Sequence, residues 1–334
     1  MRTKKIINQS ITRVLLICCF ALVANTDSMA ADDAGLSSRD VVEDRAEQSV
    51  EVKSAEPPFE FSLGVGYRVD SLKWSEAGGS VNIRSELKWE NLKIAQLSAA
   101  ARLNFSSGWN LRGMLDYGSI KSGINQDSDY NGNDRTLEFS RSNNQGGGRV
   151  GDGSISLGRT LRLLTGVEEI SFAITPLVGL SLHHQYLTMT DGFQTIPATG
   201  SYVGLDSSYD AQWQGPWVGV EAQLESGGEW SLTAIGEYHK ADYSAHANWN
   251  LRPEFSHPVS FAHSAKGQGY LLALRAAYVV SENRRVDLFV TSQRWRTDPG
   301  IDRTYFSDGS VGYYRLNGVN RDSTAVNFAL AQHF

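Results

Sequence analysis

From Phe59 onward the chain alternates: Phe59, Phe61, Leu63, Val65, Tyr67 and Val69 share one face, with Glu60, Ser62, Gly64, Gly66, Arg68 and Asp70 on the other. A period of two marks a β-strand with unlike faces. The far end repeats it, because Thr324, Val326, Phe328, Leu330 and Phe334 share a face, interrupted by Gln332, opposite Ser323, Ala325, Asn327, Ala329, Ala331 and His333. Further alternating segments lie near 81–104, 109–124, 149–163, 169–189, 213–224, 229–243, 266–280 and 285–296, which brings the count to ten. Short connections at 105–108, 164–168, 226–228 and 281–284 alternate with long polar ones. Membrane barrels have short periplasmic turns and longer external loops. The pattern therefore predicts an all-β fold, a transmembrane antiparallel up-and-down β-barrel of about ten strands with five long extracellular loops. A soluble sandwich would also alternate. The terminal Phe334 closing an amphipathic strand, which resembles the C-terminal signature of outer-membrane barrels, favours the membrane.

The beginning of the chain supports that reading. Arg2, Lys4, Lys5 and Arg13 precede an apolar run from Val14 to Ala24, and Ser28, Met29 and Ala30 follow. This order predicts a secretory signal peptide over 1–30. Both cysteines, Cys18 and Cys19, fall inside it, so the mature chain is expected to carry neither a disulfide nor a thiolate site. Residues 31–56 are acidic and nearly free of aromatics, which predicts a flexible periplasmic segment before a barrel over 57–334. After the signal no run approaches the roughly 18 apolar residues a spanning helix needs. A net charge of -6 argues against nucleic acid as a partner. The expected location is the outer membrane of a Gram-negative bacterium.

Strand number constrains function. A barrel of about eight strands is filled by side chains, and aqueous channels appear near 16 strands. Ten strands predict a plugged or narrow lumen lined by Arg68, Asp70, Arg112, Asp116, Arg162, Glu221 and Glu237 in internal charge networks. Trp74, Trp89, Trp109, Trp217, Trp230, Tyr238 and Trp295 sit near predicted strand ends, where interfacial girdles belong.

The stretch SELKWENLKIAQLSAAARLNFSSGWNLRGMLDYGSIKSG resembles the second and third strands of the omptins, a family of ten-stranded outer-membrane barrels that includes cell-surface endopeptidases. GPWVGVEAQLESGGEWSLTAIGEY and GYLLALRAAYVVSENRRVDLFVTSQRW are similar to omptin units around the sixth to ninth strands. The chain also resembles the Protochlamydia-type outer-membrane proteins, a likeness that implies a pore-like barrel. The omptin likeness implies lipopolysaccharide as a structural partner. It also implies a site in which two aspartates of one outer loop face an aspartate and a histidine across a cleft, with water as nucleophile.

In SGINQDSDY, Asp127 and Asp129 match the first half of that site, and Tyr130 supplies the aromatic that follows. Paired carboxylates beside a histidine can activate water by general-base action. The second half, D-x-H after the seventh strand, is missing from HKADYSAHANWNLRPEFSHPVSFAH. Depending on the shift, the expected histidine falls on Asn248, Asn250 or Arg252, none of which can act as that base near neutral pH. His239, His246, His257 and His263 remain as substitutes, with His246 the expected partner of Asp127 and Asp129 in an active endopeptidase. In that enzyme Asp206, Asp210 and Glu254 would favour cationic peptides.

The same loop has a metal reading. Asp127, Asp129, Asn131, Gly132, Asn133 and Glu138 follow the spacing of an EF-hand calcium loop. Against it, helices are not predicted on either side and Arg135 occupies a ligand position. Ordinary loop-tip hydrogen bonding explains these residue types equally well. Elsewhere, Gln145 to Gly148 reads as a flexible loop, and His183 and His184 point to opposite faces of a strand. No G-x-S-x-G or H-E-x-x-H pattern is present. The function expected from these residues is an omptin-like barrel without the protease dyad, acting in surface interaction or adhesion toward an extracellular peptide or host-surface ligand. The alternatives are the endopeptidase and a narrow channel.

Overall fold

A computed structural model describes residues 58–163 and 170–334; the expected signal peptide, the acidic segment and the 164–168 turn lie outside them. Thirteen strands follow one another: β1 (Phe59–Gly78), β2 (Val81–Asn104), β3 (Trp109–Tyr130), β4 (Glu138–Arg159), β5 (Leu161–Leu163), β6 (Ile170–Ile196), β7 (Gly200–Ser201), β8 (Ser207–Ser226), β9 (Trp230–Asn248), β10 (Phe261–Ser281), β11 (Arg284–Thr297), β12 (Gly300–Tyr305) and β13 (Val311–His333). Ten of them form the wall, in the order β1-β2-β3-β4-β6-β8-β9-β10-β11-β13. The wall closes where β1 pairs antiparallel with β13, Leu63 against Leu330 and Val65 against Phe328. The short β5 and β7 pair with β6, and β12 fills the outer end between β10 and β13. The expected up-and-down barrel is present.

Its strands are longer than the periodicity indicated. A tilted strand crosses the bilayer in about 9–11 residues, whereas β6 has 27 and β2 has 24. Much of what the sequence suggested as long loops is strand standing beyond the membrane. Bulges hide this from a simple period. In β2 the inward set is Ile94 and Leu92, then Trp89 and Leu87, the parity changing across Glu90 and Asn91, whose φ is 52°. In β3 it passes from Ile120 to Asn125, again an odd step, where the register against β4 shifts. At the β1–β2 turn Gly79 takes φ 61°, a region that favours glycine.

The outer face carries an apolar band. Leu63, Val65, Leu115, Leu180, Leu272 and Phe328 are all exposed, and strand pairing sets Leu63 beside Leu330, Val65 beside Phe328 and Leu180 beside Ile155. A soluble sandwich would hide these residues; here they face lipid.

The lumen is plugged. Arg68 donates to Asp70 at 2.6 Å and to Asp152 at 2.5 Å, and Asp152 also meets His183 at 2.9 Å and Arg321 at 3.4 Å. Two guanidinium groups thus face two carboxylates, all fully or nearly fully buried. Above this network packs an aromatic layer, with Trp74 and Trp89 against Tyr209 and Trp213 against Trp295. This corrects the girdle expectation: Trp74, Trp89, Trp217 and Trp295 lie on the inner face, and only Trp109, Trp230 and Tyr238 belong to the outside. Gln145 to Gly148 is likewise not a loop but part of β4, and Gly146 lets Trp89 approach to 3.3 Å of where a Cβ would stand. Of the expected lumen groups, Arg112 pairs with Glu221 at 2.7 Å, whereas Arg162 is exposed on β5.

Candidate functional site

Above the aromatic layer, the outer mouth holds a cavity of about 400 Å³. Alternation brings Glu76 of β1, Asp127 and Asp129 of β3, and Asp302 of β12 to it, while Arg84 and Arg252 supply positive charge. Trp74, Trp249, Phe255 and Phe261 form its apolar walls. The β3 bulge is what turns Asp127 and Asp129 inward.

The aspartates are therefore brought together as the sequence suggested. Burial and the like charge of Asp129 push Asp127 up to about 7, against the pull of Arg252 and a hydrogen bond with Trp249. Burial also raises Asp129, against a hydrogen bond with Ser85 and the charges of Arg252 and Arg84. Facing them from the 249–260 connection are Trp249 and Arg252, not a histidine.

His246 is not part of this site. It lies on the outward set of β9 and pairs across the outer wall with Asp210 at 3.8 Å, which also accepts from His184 at 2.5 Å. The odd residues Tyr243, Ala245 and Ala247 are the inward ones, so strand parity points the His246 ring away from Asp127 and Asp129. Asp210, one of the acidic groups expected to favour cationic peptides, is outside for the same reason. His183 and His184 do face opposite ways, to Asp152 and Asp210.

The calcium loop is also not assembled. Asp127 and Asp129 face the cavity from a strand, Asn133 lies in a single 3-10 turn and accepts from the Asn82 backbone at 2.9 Å, and Glu138 is engaged by Arg141. Backbone bonds from Asn131 to Leu137 and from Gly132 to Thr136 close the hairpin tightly. Among the described residues no group of three or more acidic, histidine or cysteine side chains could hold a metal ion.

The sequence did not single out the second carboxyl pair. Glu76 ends the inward row Arg68, Asp70, Leu72, Trp74, and Asp302 sits in the short β12, whose six residues carried too little pattern to register. His263 Nε2 donates to Asp302 at 3.0 Å, which leaves Nδ1 to accept from the Tyr209 hydroxyl at 2.8 Å; Tyr243 donates in turn to Tyr209 at 2.5 Å. Asp302, although buried, is held below its ordinary range by His263 and by hydrogen bonds from Glu76 and Thr304. Burial and the neighbouring Asp302 push Glu76 up to about 8, against Arg84 at 2.8 Å. The pair therefore shares one proton, held on Glu76. An aspartate and a histidine do meet at this mouth, but with His263 sealed beneath Asp302 rather than open to the cavity.

Among solved structures, the outer membrane protease OmpT from Escherichia coli superposes with a TM-score of 0.67 at 15% identity, over 85% of this chain and 99% of that one. The translocator domain of the autotransporter NalP from Neisseria meningitidis gives 0.35 at 11% identity, over 85% and 90%. OprG from Pseudomonas aeruginosa gives 0.33 at 12% identity, over 84% and 98%. No curated protein is significantly similar in sequence. The likeness to OmpT establishes the fold. A family model, Protochlamydia outer membrane protein, matches residues 62–334, nearly the whole barrel. The chain thus belongs to the Protochlamydia outer membrane protein family and is an outer-membrane β-barrel.

Proposed function

We propose that this barrel is a surface receptor whose external mouth holds a basic segment of an extracellular peptide without cleaving it. The observation that carries this reading is the face opposite Asp127 and Asp129: Trp249 and Arg252 stand there, and no histidine lines the cavity among the described residues. Four carboxyl groups and several aromatic rings offer ion pairing and cation–π contact to a lysine or arginine side chain. Conduction is disfavoured by the buried charge network and the aromatic layer that cross the lumen beneath.

Asp127 and Glu76 hold protons near neutrality, so a bound cation must displace them. Affinity for a basic peptide should rise as pH goes from 6 to 8.5. The test is fluorescence anisotropy of a labelled dibasic peptide on the refolded protein in vesicles, with cleavage of the same peptide followed by mass spectrometry, for wild type and an Asp127→Asn, Asp129→Asn variant. Binding that weakens in the variant without cleavage in either supports a receptor. Cleavage lost in the variant would make the protein an endopeptidase, and unchanged binding would remove the mouth from the function.

A further inference from the structure

Beneath the charge network that plugs the lumen lies a second cavity, of about 240 Å³, away from the outer mouth. A barrel of about eight strands is wide enough to be filled by its side chains. This wall has ten strands, and its inner face is small at this level, with Ser62, Ala100, Ser154, Ala273 and Ala325. Space is left for that reason. Leu177, Ile235, Leu271 and Phe289 make part of the lining apolar. The plug above is buried, whereas Glu60, at the start of β1 and on the same lining, keeps 17% of its side chain accessible, so small molecules reach the cavity from the periplasmic end.

The same lining carries three polar side chains in a row. Ser181 of β6 and His239 of β9 belong to strands separated by β8, yet Ser181 Oγ lies 3.0 Å from His239 Nδ1. The β8 residue opposite Ser181 is Gly215, on the inward parity of Trp213 and Trp217, so β8 puts no side chain between the two. Glu237, two residues before His239 on the same face of β9, meets Nε2 at 3.0 Å. A carboxylate only accepts. His239 Nε2–H therefore donates to Glu237, which leaves Nδ1 to accept from the Ser181 hydroxyl.

The surroundings hold this row in place. Trp217 stacks on the His239 ring with 5.6 Å between centroids and 28° between planes. Ser154 lies opposite Ser181 in the β4–β6 pairing and accepts from Trp217 Nε1 at 3.1 Å. An indole N–H and a second hydroxyl thus stand beside Ser181, where a developing oxyanion needs donors. Hydroxyl, imidazole and carboxylate in hydrogen-bond sequence are the arrangement that activates a serine as a nucleophile, and it is recognised by geometry, not by sequence position.

We infer that Ser181, His239 and Glu237 hydrolyse small acyl esters in the lower lumen, a function independent of what the mouth binds. Ser181 Oγ attacks the ester carbonyl while its proton passes to His239 Nδ1. The tetrahedral intermediate collapses, the bond from the acyl carbon to the alcohol oxygen breaks, and the alcohol leaves with that proton. Water then attacks the acyl-serine and gives a proton to Nδ1; the acid departs as Ser181 Oγ takes that proton back. Glu237 touches no reacting atom. It is a positioning residue that holds the ring and balances the imidazolium. A cavity of about 150 Å³ holds benzene, so one of about 240 Å³ takes a short acyl chain with a small alcohol and excludes a long-chain lipid.

The probe is p-nitrophenyl butyrate. The refolded protein in vesicles is assayed for release of p-nitrophenol, and a second sample is treated with a small fluorophosphonate and mapped by peptide mass spectrometry. Wild type should hydrolyse the ester and carry the phosphonyl group on Ser181. Ser181→Ala and His239→Gln should each lower kcat at least hundredfold with the barrel folded, as judged by heat-modifiable gel mobility. Glu237→Gln should lower kcat at least tenfold at unchanged KM. Ser62→Ala, which removes a hydroxyl of the same lining outside the row, should act as wild type. Absence of hydrolysis by the folded wild type, activity retained in Ser181→Ala, labelling of another residue in place of Ser181, or equal loss in Ser62→Ala would overturn the assignment.

Discussion

Glu76 offers a quantitative test of the mouth. Its carboxyl is pushed up to about 8 from an ordinary 4.5. The folded protein therefore keeps a proton that the unfolded chain gives up, and the stability this provides is complete below pH 4.5 and drains away as pH rises to 8. Each tenfold change in proton affinity is worth about 1.4 kcal/mol, so forcing Glu76 to ionise in place costs on the order of 4 kcal/mol by the top of that window. Glu76→Gln removes the cost while keeping the geometry: the amide oxygen still accepts from Arg84, and the amide N–H replaces the proton shared with Asp302. Asp302 is displaced below 3.8 and does not titrate in this window, and Asp127 titrates alike in both proteins, so the difference between them isolates Glu76. The assay is urea unfolding in vesicles at pH 5, 6.5 and 8, followed by tryptophan fluorescence. The variant should match wild type at pH 5 and exceed it by several kcal/mol at pH 8. A difference independent of pH, or a variant less stable at pH 8, would refute a proton held between Glu76 and Asp302.

Three further outcomes follow from the wall and the plug. Asp152→Ala strips Arg68, Arg321 and His183 of a shared partner and should lower unfolding stability by about 3–5 kcal/mol in the same urea assay, because uncompensated buried charge is what remains. Gly148→Ala should cost more than about 1 kcal/mol and loosen the pairing of β4 with β6 in amide exchange, since Gly148 has φ 120° and its added Cβ would meet the Tyr186 carbonyl at 1.9 Å. Leu63→Arg, at an exposed position of the apolar band, should cost about 2–4 kcal/mol in vesicles, and a neutral result would remove Leu63 from the lipid-facing surface.

The membrane half of each strand was legible from sequence because it obeys one rule: apolar out, small or polar in. Phe59 to Asp70 and Ser323 to Phe334 state that rule directly, and their pairing closes the barrel. For the interior tryptophans, strand parity and not nearness to a strand end decides which way the ring faces. Trp74 shares the even register of Arg68 and Asp70, and that register alone places it inside. His246 lies beyond the alternating segment near 229–243, but β9 runs on to Asn248 and sets it one residue out of step with the inward Ala245 and Ala247. Asp302 and its partner Glu76 come together only through tertiary pairing of β12 with β10 and β13, which no local pattern encodes.

The bulges that obscured the site are also what make it. Had β3 kept the parity of Gly118 and Ile120, Gln126 and Ser128 would face the mouth, and Asp127 and Asp129 would face outward beside Ile124, which is 53% exposed. The change of parity in β2 lies at the same height, where Lys93 pairs with Ser122 and Glu90 with Ile124, so both strands turn together and their ladder survives. The consequence is a division of labour within single strands. Below the bulges, even residues of β2 and β3 fill the lumen; just above them, Leu87 and Trp89 of β2 and Asp127 and Asp129 of β3 turn inward, and the carboxylates of β3 meet those of β1 and β12. The scaffold can therefore change what its mouth presents without altering the register that closes its membrane wall.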